Sequence, residues 1–407
     1  MGLSAEFTTA LSDAETLHEG AAARDVVEAR ERPRAANRDD LLREVYCIQG
    51  IPIDAVDMPT VLSTIQSAAV RRAPFVLSTP NLNFLVCALT DARFRESVLL
   101  SDLCPPDGMP LVWIARLTGV PIRRRVAGSD IFDALMAKRR GAGPLKLFLF
   151  GGADGVAAAA SRAINVNGRG VSCVGSLSPG YGSVEELSRT EVIEQINASE
   201  ADFLIAALGA QKGQLWLQHN HHRLGVPVRA HLGAVINFQA RTVRRAPAWL
   251  KHLGLEWLWR IKEEPYLWQR YFGDGLVLLR LLVTNVLPLA VRALRHRLGG
   301  DPEPDLLVLK ARTDKAVTLS LVGAATARQV DKATPCLREA LATKDRVVID
   351  VSRTRHIDAR FFGLLLMLRK QLVERGARLT FTGVSRPIEK MFRLNGVGFL
   401  LSAGGDV

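Results

Sequence analysis

From Val45 to about Asp202, short apolar runs alternate with segments of helical periodicity, and no other feature restricts the fold of this chain as much. FVLST (75–79) precedes a helix over 82–92, and KLFLF (146–150) runs into GGADG and an Ala-rich helix. VSCVGS (171–176) leads through a YGS turn to a helix from about 184 to 198. DFLIAALG (202–209) leads to QKGQLWLQHN, and VRAHLG (228–233) to a further helix. Apolar strands separated by helices of roughly 10–15 residues fit a parallel sheet covered on both faces. The fold class is α/β: a Rossmann-like parallel sheet flanked by helices. GGDPEPD (299–305) is a linker by composition, and a second, smaller α/β unit follows it. Its expected strands are 317–323, 346–352 and 378–383, and its expected helices 327–342, 360–375 and 385–395.

The pattern divides the chain into a disordered or loosely helical tail (1–43), an α/β core (44–240), a basic appendage (241–298), the linker (299–305) and the small unit (306–407). No signal peptide is expected at the start, because residues 1–40 lack an apolar run. The net charge of +12 favours an anionic partner: nucleic acid, phosphorylated substrate or acidic lipid. The charge is concentrated between Arg241 and Arg297, where 11 Lys/Arg stand against four Asp/Glu. Trp249, Trp257, Trp259 and Trp268 interleave with those cations, which suits a surface meeting phosphates or a lipid–water boundary. A helix pair burying its tryptophans in a core is the alternative. Nucleic acid is not expected as a partner, since no recognition motif is present and the cations cluster with apolar segments.

Residues 275–294 (GLVLLRLLVTNVLPLAVRAL) are long and apolar enough to suggest a membrane span. Arg280, Asn285, Pro288 and Arg292 argue instead for an interfacial or docked amphipathic helix, with a core helix as the alternative. Cys47, Cys87, Cys104, Cys173 and Cys336 are scattered, with no CxxC pair, and read as reduced thiols of a cytosolic protein. His219, His221 and His222 have poor spacing for a metal and are placed at a solvated helix end.

In open α/β sheets ligands bind beyond the carboxyl ends of the strands. STPNLNFL puts Thr79 and Asn81 at one such end, where Asn81 equally suits a helix cap. CPPDGMPLVW places Asp107 at a strand-to-helix turn, as a cap or as a general base. RRRVAGSDIF sets Arg125 before a helix start, where a cation and a helix N-terminus can meet a diphosphate. FLFGGADG offers Gly151 and Gly152, whose backbone N–H groups can approach a phosphate, and Gly209 follows the next strand. Neither stretch has the dinucleotide fingerprint or the P-loop.

RAPAW (245–249), GLEWLWR (254–260) and Glu264-Pro265 closely resemble the C-terminal signature of the WecG/TagA/CpsF glycosyltransferases (glycosyltransferase family 26), and TPN, DG and RVAGSD resemble three further elements. The likeness covers roughly residues 45–275. It implies an inverting, metal-independent transferase that needs no cofactor. Such an enzyme moves a sugar (ManNAc, ManNAcA or glucose type) from a UDP-sugar to a polyprenyl-diphosphate-linked saccharide in bacterial surface or exopolysaccharide synthesis. It implies a cytoplasmic enzyme, peripheral on the inner face of the membrane. Asp107 would be the base, Thr79 and Asn81 would contact the sugar nucleotide, and Arg125 would meet the diphosphate. Gly151, Gly152 and Gly209 would lie along the nucleotide. Arg245, Arg260 and Arg270 would lie on a flap that closes the site and rides on the membrane surface.

The chain departs from the family in two places. Gly209-Ala210-Gln211-Lys212-Gly213-Gln214 stands for GxPKQE, leaving Gln214 as a substrate-binding candidate, and Asn237 and Arg241 interrupt GAxFDFxAG. A different donor, or a catalytically degenerate scaffold, would account for both. Residues 306–402 resemble a STAS domain through VVIDVSRTRHIDARFFGLLLMLRKQLVERGARLTFTGVS and MFRLNGVG. Arg360 replaces the usual phosphorylatable serine, so that switch cannot operate there. The fixed charge would dock an acidic protein partner, or the unit serves as a packing surface.

Overall fold

The computed structural model describes residues 39–137, 143–247, 249–250, 254–299, 304–313, 316–342 and 346–402. Residues 1–38 of the tail expected over 1–43, and residues 300–303 of the linker, lie outside them. Asp39–Arg43 are ordered: Asp39 caps a 3-10 turn, Asp40–Leu42, by accepting from the Leu41 N–H.

A hairpin comes first, β1 (Val45–Ile48) and β2 (Ile51–Asp54), joined by Gln49 and Gly50 with φ of 48° and 89°. Positive φ at both turn residues matches the twist of the flanking strands. The order then runs α1 (Met58–Arg71), β3 (Phe75–Leu77), α2 (Leu82–Thr90), α3 (Ala92–Leu99), α4 (Met109–Thr118), α5 (Gly128–Ala137), β4 (Leu145–Gly151), α6 (Val156–Asn167), β5 (Val171–Leu177), α7 (Thr190–Ala198), β6 (Phe203–Ala207), α8 (Ala210–His219), β7 (Val228–His231) and α9 (Gly233–Gln239). The five strands β3–β7 form one parallel sheet in the order β3-β7-β6-β4-β5. After β5 the chain crosses back over β4 to β6, so β4 and β6 flank the reversal point where such sheets open a crevice.

The sheet strands agree with the apolar runs read above. The strand expected before Asp107 is only an isolated bridge between Leu77 and Leu103. The histidine triplet also differs from expectation. His221 is buried, with its Nδ1 3.2 Å from the guanidinium of Arg229, itself 1% exposed, while His219 and His222 face solvent.

The appendage forms α10 (Glu256–Glu263) and α11 (Trp268–Leu281), which continues through a π-helical turn, Leu282–Val286, into α12 (Leu287–Gly299). Pro288 stands just past that turn and has no N–H to give the helix, which is a recognised cause of such irregularity. Leu281 and Val286 bury into the apolar cluster around β2, α2 and α4. The opposite side is exposed. Trp249, Trp257 and Trp268 are 61, 42 and 53% exposed, so these tryptophans lie at the surface rather than in a core.

The second unit adds β8 (Leu307–Arg312), β9 (Ala316–Ala325), α13 (Val330–Leu341), β10 (Arg346–Asp350), β11 (Thr354–Ile357), α14 (Ala359–Glu374), β12 (Leu379–Thr382), α15 (Arg386–Leu394) and α16 (Phe399–Ser402). β9 pairs in parallel with β10 and β11 and antiparallel with β8, giving a mixed sheet. The sequence reading missed β8 because this edge strand is almost wholly exposed and carries no alternation.

α14 is apolar nearly all round, as a helix covered on every side must be. It lies between the second sheet and β1, and Leu41, Val45, Cys47 and Leu99 share its apolar cluster. A Cβ on Gly363 would collide with the Val45 carbonyl. Gly363→Ala should therefore cost about 1–3 kcal/mol of stability, read from the denaturant midpoint. Arg360 donates to the Val45 carbonyl at 3.1 Å and its guanidinium sits 5.9 Å from the Tyr46 ring. The expected fixed charge is thus spent on the hairpin of its own chain.

Candidate active site

The carboxyl ends of β3 and β7 meet the loop that carries Asp107 and the start of α5, while the ends of β4 and β6 flank the reversal point. Ser78 and Thr79 leave β3 buried, and Asn81 caps α2 by accepting from the Phe84 N–H at 3.1 Å. The cap reading of Asn81 therefore holds, and it fixes the turn that presents Thr79. The Asp107 backbone N–H donates to the Pro80 carbonyl at 2.8 Å, which ties the two loops together. Gly108, with φ of 125°, lets the chain turn directly into α4.

The Asp107 carboxylate accepts from the Gly128 N–H at 3.2 Å, at the N-terminus of α5. Its carboxyl is pushed up to about 7, first by burial, against the downward pull of the Gly128 N–H and Arg125, with Glu256 and Asp130 adding to the rise. A carboxylate poised there suits proton abstraction near neutral pH. Gly128 was not singled out in the sequence, yet a Cβ there would stand 3.2 Å from Thr79 Oγ1 and closer still to Leu232. RVAGSD was the available signal.

Arg125 donates to Glu256 Oε2 at 2.8 Å and lies 3.5 Å from Asp130 Oδ2. Burial works against its charge, but Glu256 and Asp130 outweigh that and hold it above its ordinary value. Glu256 belongs to α10, so this pair latches the appendage to the core. Arg245 adds bonds to Asp130, at 3.1 Å, and to Asp133, and its guanidinium stacks 5.3 Å from the Phe238 ring. Arg260 pairs with Glu264 at 2.6 Å and faces the same ring at 5.4 Å. Arg270 is exposed and sits over Tyr271, outside this group. Gly254, with φ of 74°, packs against Met109 just past Asp107, so the appendage roofs the site.

The glycines fall at the reversal point. Gly151 has φ of 105° and leaves room only for the Ala207 carbonyl, while the Gly152 N–H donates to that same carbonyl at 3.0 Å. Gly209, with φ of 82°, opens α8 beside free space. Gln214 is buried below the site, donating to Ser78, Ser97 and Ser101, with Oε1 unpartnered. His231, at the end of β7, is a further buried group absent from the sequence reading, and burial drives its imidazole down to about 4.

Comparison with known proteins agrees with this architecture. Residues 46–291 match the Glycosyl transferase WecG/TagA/CpsF family, and residues 308–402 match the Mlab, STAS domain. The chain is 29% identical over 199 residues to the N-acetylglucosaminyldiphosphoundecaprenol N-acetyl-beta-D-mannosaminyltransferase of Bacillus subtilis (strain 168), covering 48% of this chain and 74% of that one. It is 28% identical over 200 residues to the protein of the same name from Bacillus spizizenii, covering 49% and 75%. A parallel α/β core, a roofed carboxylate and a family match over more than half its length make this chain a glycosyltransferase of the WecG/TagA/CpsF family.

Proposed function

We propose that this enzyme transfers a sugar, of the ManNAc class, from a UDP-sugar to a saccharide carried on polyprenyl diphosphate, with Asp107 as general base. The observation that carries this reading is the Asp107 carboxyl held near neutrality beside Arg125 and the α5 N-terminus. The base takes the proton of the acceptor hydroxyl as its oxygen attacks the sugar C1 and the UDP diphosphate leaves. Arg125 and the α5 N–H groups meet the departing charge. Donor binding breaks the Arg125–Glu256 pair, so the diphosphate and the flap carboxylate compete for one guanidinium. Thr79 and Asn81 line the donor from the β3 end, and Gly151, Gly152 and Gly209 border the nucleotide. Gln214 supports that wall from beneath. Arg245 and Arg260 hold the roof, and Arg270 faces outward toward lipid or acceptor phosphate.

The exposed stripe of α11 and α12 supports a peripheral seat on the inner face of the cytoplasmic membrane, where such an acceptor resides. Pro265–Arg295 is long and apolar enough to cross a membrane, but Leu281 and Val286 are packed into the core. An interfacial pose keeps those contacts. The test is UDP release from a panel of UDP-sugars with and without a polyprenyl-diphosphate-linked acceptor in detergent. Acceptor-dependent release supports the reading, and UDP binding without any release favours a degenerate scaffold. Arg125→Ala should weaken UDP binding by about 10–100-fold by calorimetry, the worth of one charge-assisted contact.

A further inference from the structure

Beneath the site, the second unit reaches into the transferase core. Lys370 of α14 is 1% exposed, and its Nζ donates to Asp102 Oδ1 at 2.8 Å and to the Ser101 carbonyl at 3.2 Å, with Asp40 Oδ2 at 3.0 Å. Both acceptors lie on the stretch that runs alongside β3. Asp102 Oδ2 accepts from the Val76 N–H at 2.8 Å, and the Asp102 N–H donates to the Val76 carbonyl at 2.8 Å. Ser101 Oγ is 2.7 Å from Ser78 Oγ, and Thr79 is the next residue along. The ammonium is therefore two bonds from the strand that delivers the Thr79 and Asn81 turn. A buried cation is tolerated only when paired and hydrogen-bonded, and these carboxylates supply both conditions.

We infer that the STAS-like unit is a fixed part of the transferase, with α14 docked on the core of its own chain, and that Lys370 is a positioning residue that sets the carboxyl end of β3 through Asp102 and Ser101. The inference rests on the proposed role of Thr79 and Asn81 at the donor. The neighbouring residue provides a control. Arg369 pairs with Glu96 at 2.9 Å across the same boundary, on a partly exposed surface that does not touch Ser101 or Asp102.

The test uses the full chain with Lys370→Met, Lys370→Met/Asp102→Asn and Arg369→Ala. Amide hydrogen exchange over 75–85, thermal unfolding, donor KM and kcat are compared. Lys370→Met should speed exchange at 76–81 and raise the donor KM by roughly 10–100-fold, the range expected when contact groups are misplaced by about an ångström. The double variant removes the uncompensated carboxylate while Asn still accepts from Val76, so Tm should recover and KM should not. Arg369→Ala should leave KM and exchange over 75–85 as in the wild type. A double variant with wild-type KM and exchange overturns the inference, as does Arg369→Ala matching the effect of Lys370→Met. The exchange arm reads β3 without any substrate, so absence of wild-type turnover counts against the proposed substrates and not against this role.

Discussion

Asp107→Asn is expected to lower turnover by about 10²–10⁴-fold, the range for a lost general base, while UDP affinity should change by less than about threefold. Asn keeps an oxygen to accept from the Gly128 N–H, so the local structure stays in place. The wild-type enzyme should show a matching acid limb in its pH–rate profile. Because the Asp107 carboxyl is raised to about 7, it is half protonated at that pH, and kcat/KM falls about tenfold per unit below pH 6. The stability linkage has the opposite sense. A carboxyl raised on folding contributes stability that is fully present below its unfolded value near 4 and is lost as pH rises through about 7. Asp107→Asn should accordingly be more stable than the wild type at pH 8 while far less active. Both trends follow from one titration series of turnover and melting temperature. A wild-type rate independent of pH from 5 to 8 would sink the base assignment.

Replacing Phe272, Leu276, Leu279 and Val283 together with serine should abolish stable binding to vesicles containing anionic lipid. These side chains are 63, 54, 60 and 59% exposed and follow one another at helical spacing along α11 and the π-helical turn. Burying such a side chain is worth about 1.5–3 kcal/mol when complete. If the interface takes up half of that for each, four losses sum to roughly 3–6 kcal/mol, at least about a hundredfold in partitioning. Folding stability changes little, because the substituted atoms face solvent already. Flotation with vesicles and a thermal melt on the same samples separate the two effects. Undiminished flotation would remove the stripe from the membrane-binding role.

The α/β class was legible because buried parallel strands are mostly continuous apolar runs, as LFLF and FLIAA advertise directly, although β7 (VRAH) buries Arg229 and His231. The hairpin was harder to see: in VYCI and IPID every residue is buried, because α14, some 300 residues away, covers Val45 and Cys47 while α2, α3 and α4 cover Tyr46, Ile48, Ile51 and Ile53. No local pattern encodes a partner that distant. At the site, Asp107, Arg125 and Asn81 stood out through the likeness of DG, RVAGSD and TPN to family elements, since turn chemistry alone left Asp107 and Asn81 as helix caps. Their regulators did not. Glu256 reads as a solvated helix residue until Arg125 is found beside it, and Gly128 reads as a helix start until its N–H is seen on Asp107. Lys370 lies in LRKQL, which looks like an exposed charged face, and only the fold shows the ammonium enclosed by carboxylates.

The apolar cluster that joins Leu41, Val45 and Cys47 to the second unit has a consequence for biosynthesis. The Cys47 thiol donates to the Asn395 carbonyl across a separation of 348 residues. A ribosome adding about 5–20 residues each second emits the hairpin well before α15 exists, so β1 waits tens of seconds for its covering layer. In that interval an apolar ribbon and the empty seat for Lys370 face solvent, a state that invites chaperones or aggregation. Nascent chains halted ahead of α14 should therefore be far more protease-sensitive around β1 than chains halted after α16, although the entire catalytic sheet has already been made.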